Sequence, residues 1–259
     1  MNLSERQRQI LAEVRAAGFI SIESLAATHG VSTQTVRRDV NMLCDANWLR
    51  RRHGGVEAST AAGNIAYDTR QITNIEAKQR IGRRVAALVP SRASVLIGIG
   101  STPEQVAVAM AEHEDLTVVT NNLNVAMALS RMPSNRILLP GGTVRLPDRD
   151  LLGPDVEKLF RSFRADFGIF GIGGIDHDGT LLDFSTEEVG ARLAIQESCR
   201  HTILVADVTK IGRAAPAKGG DVSAIDTVVL DQAPSAALES IVARGTGRLL
   251  VAHSDMAAA

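Results

Sequence analysis

Between Gly18 and Asp39 the chain sets two short amphipathic stretches around a turn containing Gly30, with paired arginines, Arg37 and Arg38, on the second stretch. Two helices joined by a tight glycine turn form a helix-turn-helix, whose second helix enters the major groove of DNA. Ser32 stands where its hydroxyl can accept from the first-turn amides of that second helix. Val36, Val40 and Leu43 recur at helical spacing and are expected to face inward. This leaves Thr33, Gln34, Thr35, Arg37, Arg38 and Asn41, with the capping Ser32, as a polar, cationic and acid-poor outer face suited to a duplex.

The flanks support the same unit. Ser4 with Gln7 reads as a capping box ahead of Ile10, Leu11 and Val14, and Gly18 ends that helix. Ser21 can cap a second helix that turns Ile22, Leu25 and Ala26 inward. Residues 48–56 read as a strand, a glycine turn and a return strand, a wing carrying Arg50, Arg51, Arg52 and His53 toward phosphate or the minor groove. The motifs STQTVRRDV at 32–40 and LRRRHGG at 49–55 resemble the N-terminal winged helix of the DeoR family of bacterial repressors. The resemblance implies that these segments are the recognition helix and the wing.

Charge agrees with a basic head on an acidic body. Residues 1–58 hold 8 Lys and Arg against 6 Asp and Glu, and the remainder holds 20 against 23. No run is apolar and long enough to span a membrane, and the Arg-rich start does not read as a signal peptide. Cys44 and Cys199 lack metal-ligand spacing, so two reduced thiols in a cytoplasmic protein are expected, with no metal and no cofactor. The stretch ASTAAGN at 58–64 has the composition of a flexible linker. The expected organisation is a winged helix over 1–58, a linker over 59–74 and a second domain over 75–259.

In that second domain short apolar β-rich runs alternate with helical patterns. Strands are expected at 94–99, 116–120, 136–140, 165–171, 201–206, 226–230 and 248–252, with helices at 103–111, 123–131, 154–163 and 187–199. Most of the strands are apolar on both faces, which predicts an α/β domain with a mainly parallel sheet covered on both sides. Ligands of such sheets bind beyond the carboxyl ends of the strands.

The loops at those ends are rich in glycine, hydroxyls and amides. At Gly98, Ile99, Gly100, Ser101, Thr102 and Pro103 the chain leaves a buried strand and enters a helix, so backbone donors, two hydroxyls and a helix N-terminus converge where an anion can sit. Asn121 and Asn122 follow a second strand, GGTVR at 141–145 a third, and a glycine-rich run ending in Asp176 a fourth. Lys210 follows a fifth strand, where its point charge can serve a phosphate or simply meet solvent.

The motifs IGSTPE at 99–104, TNNLNVA at 120–126, GGTVR at 141–145, DFGIFGIGGID at 166–176 and KIGR at 210–213 resemble the sensor domain of the same DeoR family. That domain is similar in fold to ribose-5-phosphate isomerase. The resemblance implies a phosphorylated effector, a polyol phosphate or a sugar phosphate, glycerol-3-phosphate first among them. It implies that Ser101 and Thr102 hold the phosphate with help from the Gly100 backbone, that Lys210 supplies charge, and that Asn121, Asn122, Arg145 and Asp176 make hydroxyl or supporting contacts. The expected partners are double-stranded operator DNA and that effector. A homo-oligomer, dimer or tetramer, is expected because paired half-sites multiply the contacts of one small head. Two positions depart from the family pattern, Gly98 where an Asp is usual and Arg192 where a lysine is common.

A sugar-phosphate isomerase with an added head is the competing class. Enediol chemistry needs a base and a cation near the carbonyl oxygen. Asp176, Asp178, Asp183, Glu187 and Glu188 offer bases, but the stretch GTLLDFS at 179–185 lacks the lysine that the isomerase family places there. A regulator rather than an enzyme is therefore expected.

Overall fold

The computed structural model describes residues 4–45, 48–58 and 67–252. The chain forms two compact units, 1–65 and 66–259. The composition-based linker signal at 59–64 lies outside the described residues.

The first unit runs α1 (Glu5–Ala17), β1 (Phe19–Ser21), α2 (Ile22–His29), α3 (Thr33–Asp45), β2 (Leu49–Arg52) and β3 (Gly55–Ala58). Local chemistry sets its boundaries. Ser4 and Gln7 form the reciprocal capping box of α1, and Ser21 Oγ accepts from Ser24 N at 3.0 Å to start α2. Gly30 ends α2 at φ 62°, a left-handed conformation that a side chain resists. Ser32 Oγ then accepts from Thr35 N at 3.2 Å and starts α3. Ile10, Val14, Leu25, Val36, Val40 and Leu43 close the core between the three helices, and Leu49 and Val56 seat the strands on it.

Two features of this unit had no clear sequence signal. β1 joins the wing as a third antiparallel strand, in the order β1-β3-β2. Asp39 is buried on α3 and accepts from Arg6 Nε at 2.7 Å and Gln7 Nε2 at 3.1 Å, which ties α3 to α1.

The second unit begins with α4 (Tyr67–Ile72) and α5 (Ile75–Ala86). Seven parallel strands follow, β4 (Ser94–Ile97), β5 (Thr117–Thr120), β6 (Arg136–Leu138), β7 (Ala165–Phe170), β10 (Cys199–Ala206), β12 (Thr227–Leu230) and β13 (Arg248–Val251), in the spatial order β13-β12-β10-β7-β4-β5-β6. The helices between them are α6 (Ser101–Ala109), α7 (Leu123–Leu129), α8 (Pro154–Arg161), α9 (Thr186–Glu197) and α10 (Ala236–Val242). A small antiparallel sheet of β8 (Gly174–Ile175), β9 (Thr180–Asp183) and β11 (Ala217–Asp221) stands beside the main one. The sequence reading did not separate these short strands from loop.

Strand alternation splits the core into two layers. Leu96, Val119, Phe170, Leu204 and Val228 pack with α8, α9 and α10, while Val95, Val118, Ile169, Ile203 and Val229 pack with α5, α6 and α7. Both faces of the sheet are covered, as the apolar strand runs require. Burial pushes the Cys199 thiol up to about 11, which leaves it inert at neutral pH.

The end of the expected linker is structured. Residues 67–72 form α4, and Tyr67 is only 1% exposed. The burial of one aromatic ring, rather than helix propensity over six residues, accounts for this short helix.

Candidate functional site

On the first unit, Ser32, Gln34, Thr35, Arg37, Arg38 and Asn41 line one open concavity along α3. Arg37 and Asn41 also line an adjoining groove with Arg51, Arg52, Gly54 and Gly55 of the wing. The structure thus joins α3 and the wing into one surface. Thr33, Arg37 and Arg38 are exposed, as are Arg50, Arg51, Arg52 and His53. Arg51 donates to Asn41 Oδ1 and links wing to helix. Glu57 was not anticipated: its carboxylate lies 3.3 Å from Arg50 Nε and 3.1 Å from Arg52 Nη1, so two of the three wing arginines share one counter-charge.

On the second unit the strand ends meet as the sheet requires. Gly100 precedes α6 at φ 118°, a backbone conformation open to glycine and strained for any side chain. Ser101 and Thr102, both buried, open α6 at that turn, and no side chain caps the amides of its first turn. Thr120 Oγ1 donates to Ile97 O at 2.7 Å and accepts from Asn122 N at 3.1 Å, which holds the β5 end against β4. Asn122 caps α7 by accepting from Asn124 N at 3.0 Å, and its amide donates to Gly100 O at 3.3 Å. Asn121 is buried and donates to Leu151 O at 2.8 Å, while its Oδ1 has no hydrogen-bond partner. Asn121 also lines a small cavity with Gly98, Gly171, Asp183, Glu188 and Arg192.

Lys210 ends a turn of 3-10 helix that follows β10 (Val208–Lys210). Burial, with Arg213, Arg70 and Lys78 around it, pulls its ammonium down to about 7, and Asp207 opposes the shift. Lys78 of α5 is 3% exposed and is pulled down to about 8, first by burial. Burial disfavours the Asp207 carboxylate, but Lys210 and the bonds from Thr209 hold it below the usual range. Lys210 and Lys78 thus feel each other and Arg70 and Arg213, with Asp207 opposing the shift of both. Lys78 also feels Glu104, one turn into α6.

The remaining expected residues are committed elsewhere. Arg145 makes a two-pronged bridge to Asp150, at 2.7 and 2.9 Å, and lies 3.4 Å from Glu188. It fastens the loop after β6. Asp176 is exposed in the β8–β9 turn and accepts from His177 N at 2.7 Å, a turn-forming contact. Of the two family departures, Arg192 is buried and pairs with Asp183 at 2.9 Å, while donating to Gly219 O at 2.6 Å. A side chain at Gly98 would lie 3.1 Å from Ile195 Cδ1, so an Asp there needs that isoleucine to give way.

Sequence reasoning missed Lys78, Arg70 and Tyr67. A signal existed for Lys78: Ala77, Lys78, Ile81, Gly82 and Val85 fall on one helical face, so a lysine interrupts an apolar stripe. Such a lysine is buried only when something compensates it.

The carboxylates of the isomerase alternative are also engaged. Asp183 holds Arg192 and accepts from Gly173 N at 3.1 Å, Glu188 accepts from Phe184 N at 3.0 Å, and Asp178 accepts from Thr180 N at 2.9 Å.

Comparison with known proteins agrees with both halves. Residues 6–62 match the DeoR-like helix-turn-helix domain and residues 73–232 the DeoR C terminal sensor domain. The chain is 40% identical over 242 residues to the glycerol-3-phosphate regulon repressor of Escherichia coli, covering 93% of this chain and 96% of that one. It is 41% identical to the protein of the same name in Haemophilus influenzae, over 90% and 91% of the two chains. Among solved structures, ribose 5 phosphate isomerase A from Neisseria gonorrhoeae aligns with a TM-score of 0.38 and 14% identity, over 52% of this chain and 53% of that one. A winged helix with an outward cationic face, a three-layer sensor and two family matches spanning most of the residues lead to one assignment: the chain belongs to the DeoR family of helix-turn-helix transcriptional repressors.

Proposed function

We propose that this repressor is released from its operator by a phosphate monoester, with glycerol-3-phosphate the effector best supported, and that it senses this molecule without converting it. The observation that carries the reading is the Gly100 turn, at φ 118°, which opens α6 with Ser101 and Thr102 at the carboxyl edge of the sheet where the Lys210 turn also lies, with Lys78, Arg70 and Arg213 acting on Lys210. Several buried or half-buried cations raise one another's cost, and an arriving dianion relieves it. Gly100, Ser101, Thr102 and Lys210 take the phosphate, Asn121 Oδ1 accepts from a hydroxyl, and Asn122, Arg145 and Asp176 shape the loops. The protein acts in the cytoplasm as a homo-oligomer, since paired half-sites are how one small head reaches useful affinity.

Thermal-shift screening of phosphorylated three- to six-carbon metabolites, followed by operator titrations with the best of them, tests the proposal. Binding to the folded state raises the melting temperature. Release further requires that effector and operator weaken each other by the same factor. A metabolite that stabilises the protein and leaves operator affinity unchanged would exclude it as the effector.

Effector affinity is expected to depend on pH with a defined sign. A bound dianion favours the charged ammonium, so the pKa of Lys210 rises in the complex. Above about 7, where free Lys210 begins to lose its proton, binding must take one up, and affinity falls by up to about tenfold per pH unit. Calorimetry at pH 8 in two buffers of different ionisation enthalpy should show proton uptake. An affinity that stays flat from pH 7 to 9 would remove Lys210 from the site.

On the wing, Arg51→Ala is expected to lower the slope of log K against log salt by about 1, the signature of one lost phosphate contact. Glu57→Gln is expected to tighten non-specific binding at low salt, because it frees the charges of Arg50 and Arg52. Anisotropy titrations across salt concentrations measure both. Two unchanged slopes would leave the wing off the DNA.

A further inference from the structure

Helix α4 follows directly, in sequence, the residues that join the two units, and with the turn that runs on from it to Asn74 it touches three separate parts of the sensor crevice. Toward α6, the Tyr67 hydroxyl donates to Glu104 Oε2 at 2.6 Å, and Gln71 Nε2 donates to both Glu104 oxygens at 3.0 and 3.1 Å. Glu104 N in turn donates to Gly100 O at 3.1 Å, so α4 grips the helix turn that opens at the phosphate loop. Toward the loop after β6, Arg70 pairs with Asp148, with its guanidinium over the Tyr67 ring at 5.0 Å. Toward the Lys210 turn, Asn74 Nδ2 donates to Asp207 Oδ1 at 3.3 Å, and the buried Lys78 ammonium holds the carbonyls of Arg70 and Thr73.

These contacts are polar and specific, which makes them sensitive to charge. Burial and Glu104 push the Tyr67 hydroxyl well above its usual range, so it remains a donor at every relevant pH. Arg70 already acts electrostatically on both Lys210 and Lys78 from its place beside Asp148. A dianion seated among those lysines competes with Asp148 for the same guanidinium, and a guanidinium that leaves a carboxylate can take a phosphate through its planar fork.

We propose that Arg70 is an effector-binding residue carried on α4, and that its transfer from Asp148 to the phosphate makes α4 the relay between the sensor and the DNA-binding unit. The inference rests on the phosphate-sensor reading above. Its physical content is a differential contact: Arg70 meets Asp148 in one state and the effector in the other, which is what a ligand-driven shift of a two-state element requires. Tyr67 and Gln71 are positioning residues that carry the shift to α6 through Glu104.

Calorimetry of the full chain with glycerol-3-phosphate, with and without operator duplex, tests this in Arg70→Ala, Arg70→Lys and Asp148→Asn. Arg70→Ala is expected to weaken effector binding at least tenfold and to shrink the factor by which effector weakens operator binding. Arg70→Lys should restore part of the affinity, as a charge role predicts and a packing role does not. Asp148→Asn, which removes the competing carboxylate and with it the partner that holds Arg70 when no effector is bound, should tighten effector binding several-fold and by the same bias weaken operator binding without effector. Undiminished effector affinity and an undiminished linkage factor in Arg70→Ala would overturn the relay while leaving the sensor site standing. Weaker effector binding in Asp148→Asn would equally overturn it. A wild-type chain that binds no phosphate monoester would sink the sensor reading, and the relay with it.

Discussion

Glycerol is expected to bind this chain about 10²- to 10⁴-fold more weakly than glycerol-3-phosphate, because removing the phosphate discards charge-assisted hydrogen bonds worth about 1.5 to 3 kcal/mol each, and two such bonds convert to that range. On the proposed reading the donors are the Ser101 and Thr102 hydroxyls, the amides at the α6 N-terminus, and Lys210. Uncharged glycerol also forgoes the attraction of the Lys210 charge for a dianion. The variant Ser101→Ala with Thr102→Ala and Lys210→Ala is expected to bind glycerol-3-phosphate no better than wild type binds glycerol. Calorimetry on both ligands and both proteins decides it. Equal binding of the two ligands by wild type, or full phosphate binding by the triple variant, would place the effector elsewhere.

The main sheet was legible because its strands are apolar on both faces. Every run expected as a strand, from 94–99 to 248–252, supplies one of the seven parallel strands. The helix caps were legible for the same kind of reason, since Ser4, Ser21 and Ser32 act within three residues of themselves. What stayed hidden depends on long-range pairing. β1 is three residues long and becomes a strand only because β3 offers its edge. Helix α4 exists because Tyr67 finds Glu104, 37 residues away, and short helices of its length have no strong local signature.

The site followed the same division. The Gly100 to Thr102 loop and Lys210 could be read from residue type and position after a strand, and the structure puts them at one sheet edge. Arg145 was expected as a hydroxyl or supporting contact from its place after a glycine pair at a strand end. Its pairing with Asp150, five residues on, was not legible, because it depends on how the loop folds back. Arg70 and Lys78 come from helices before the sheet, and neither follows a strand, so a search confined to strand ends passes over them.

At the DNA-binding unit, Arg37→Ala and Arg38→Ala are expected to leave the fold intact and weaken operator binding. Both side chains are exposed on α3, while the helix is held by Val36, Val40 and Leu43 and by the Asp39 contacts to Arg6 and Gln7. The two roles open to an arginine on this face differ in what they predict. An arginine reading guanine edges is worth about 1 to 3 kcal/mol of discrimination, so its loss weakens the operator complex by roughly 5- to 150-fold and spares a scrambled duplex. An arginine on phosphate weakens both complexes alike and lowers the salt slope by about 1. Arg37 lines the helix concavity and the groove toward the wing, whereas Arg38 lines the helix concavity alone. The larger loss of specificity is therefore expected for Arg37, which sits where helix and wing converge. Gel-shift titrations on operator and scrambled duplexes at two salt concentrations separate the two roles. Unchanged affinity of both variants for both duplexes would show that α3 is not the reading helix.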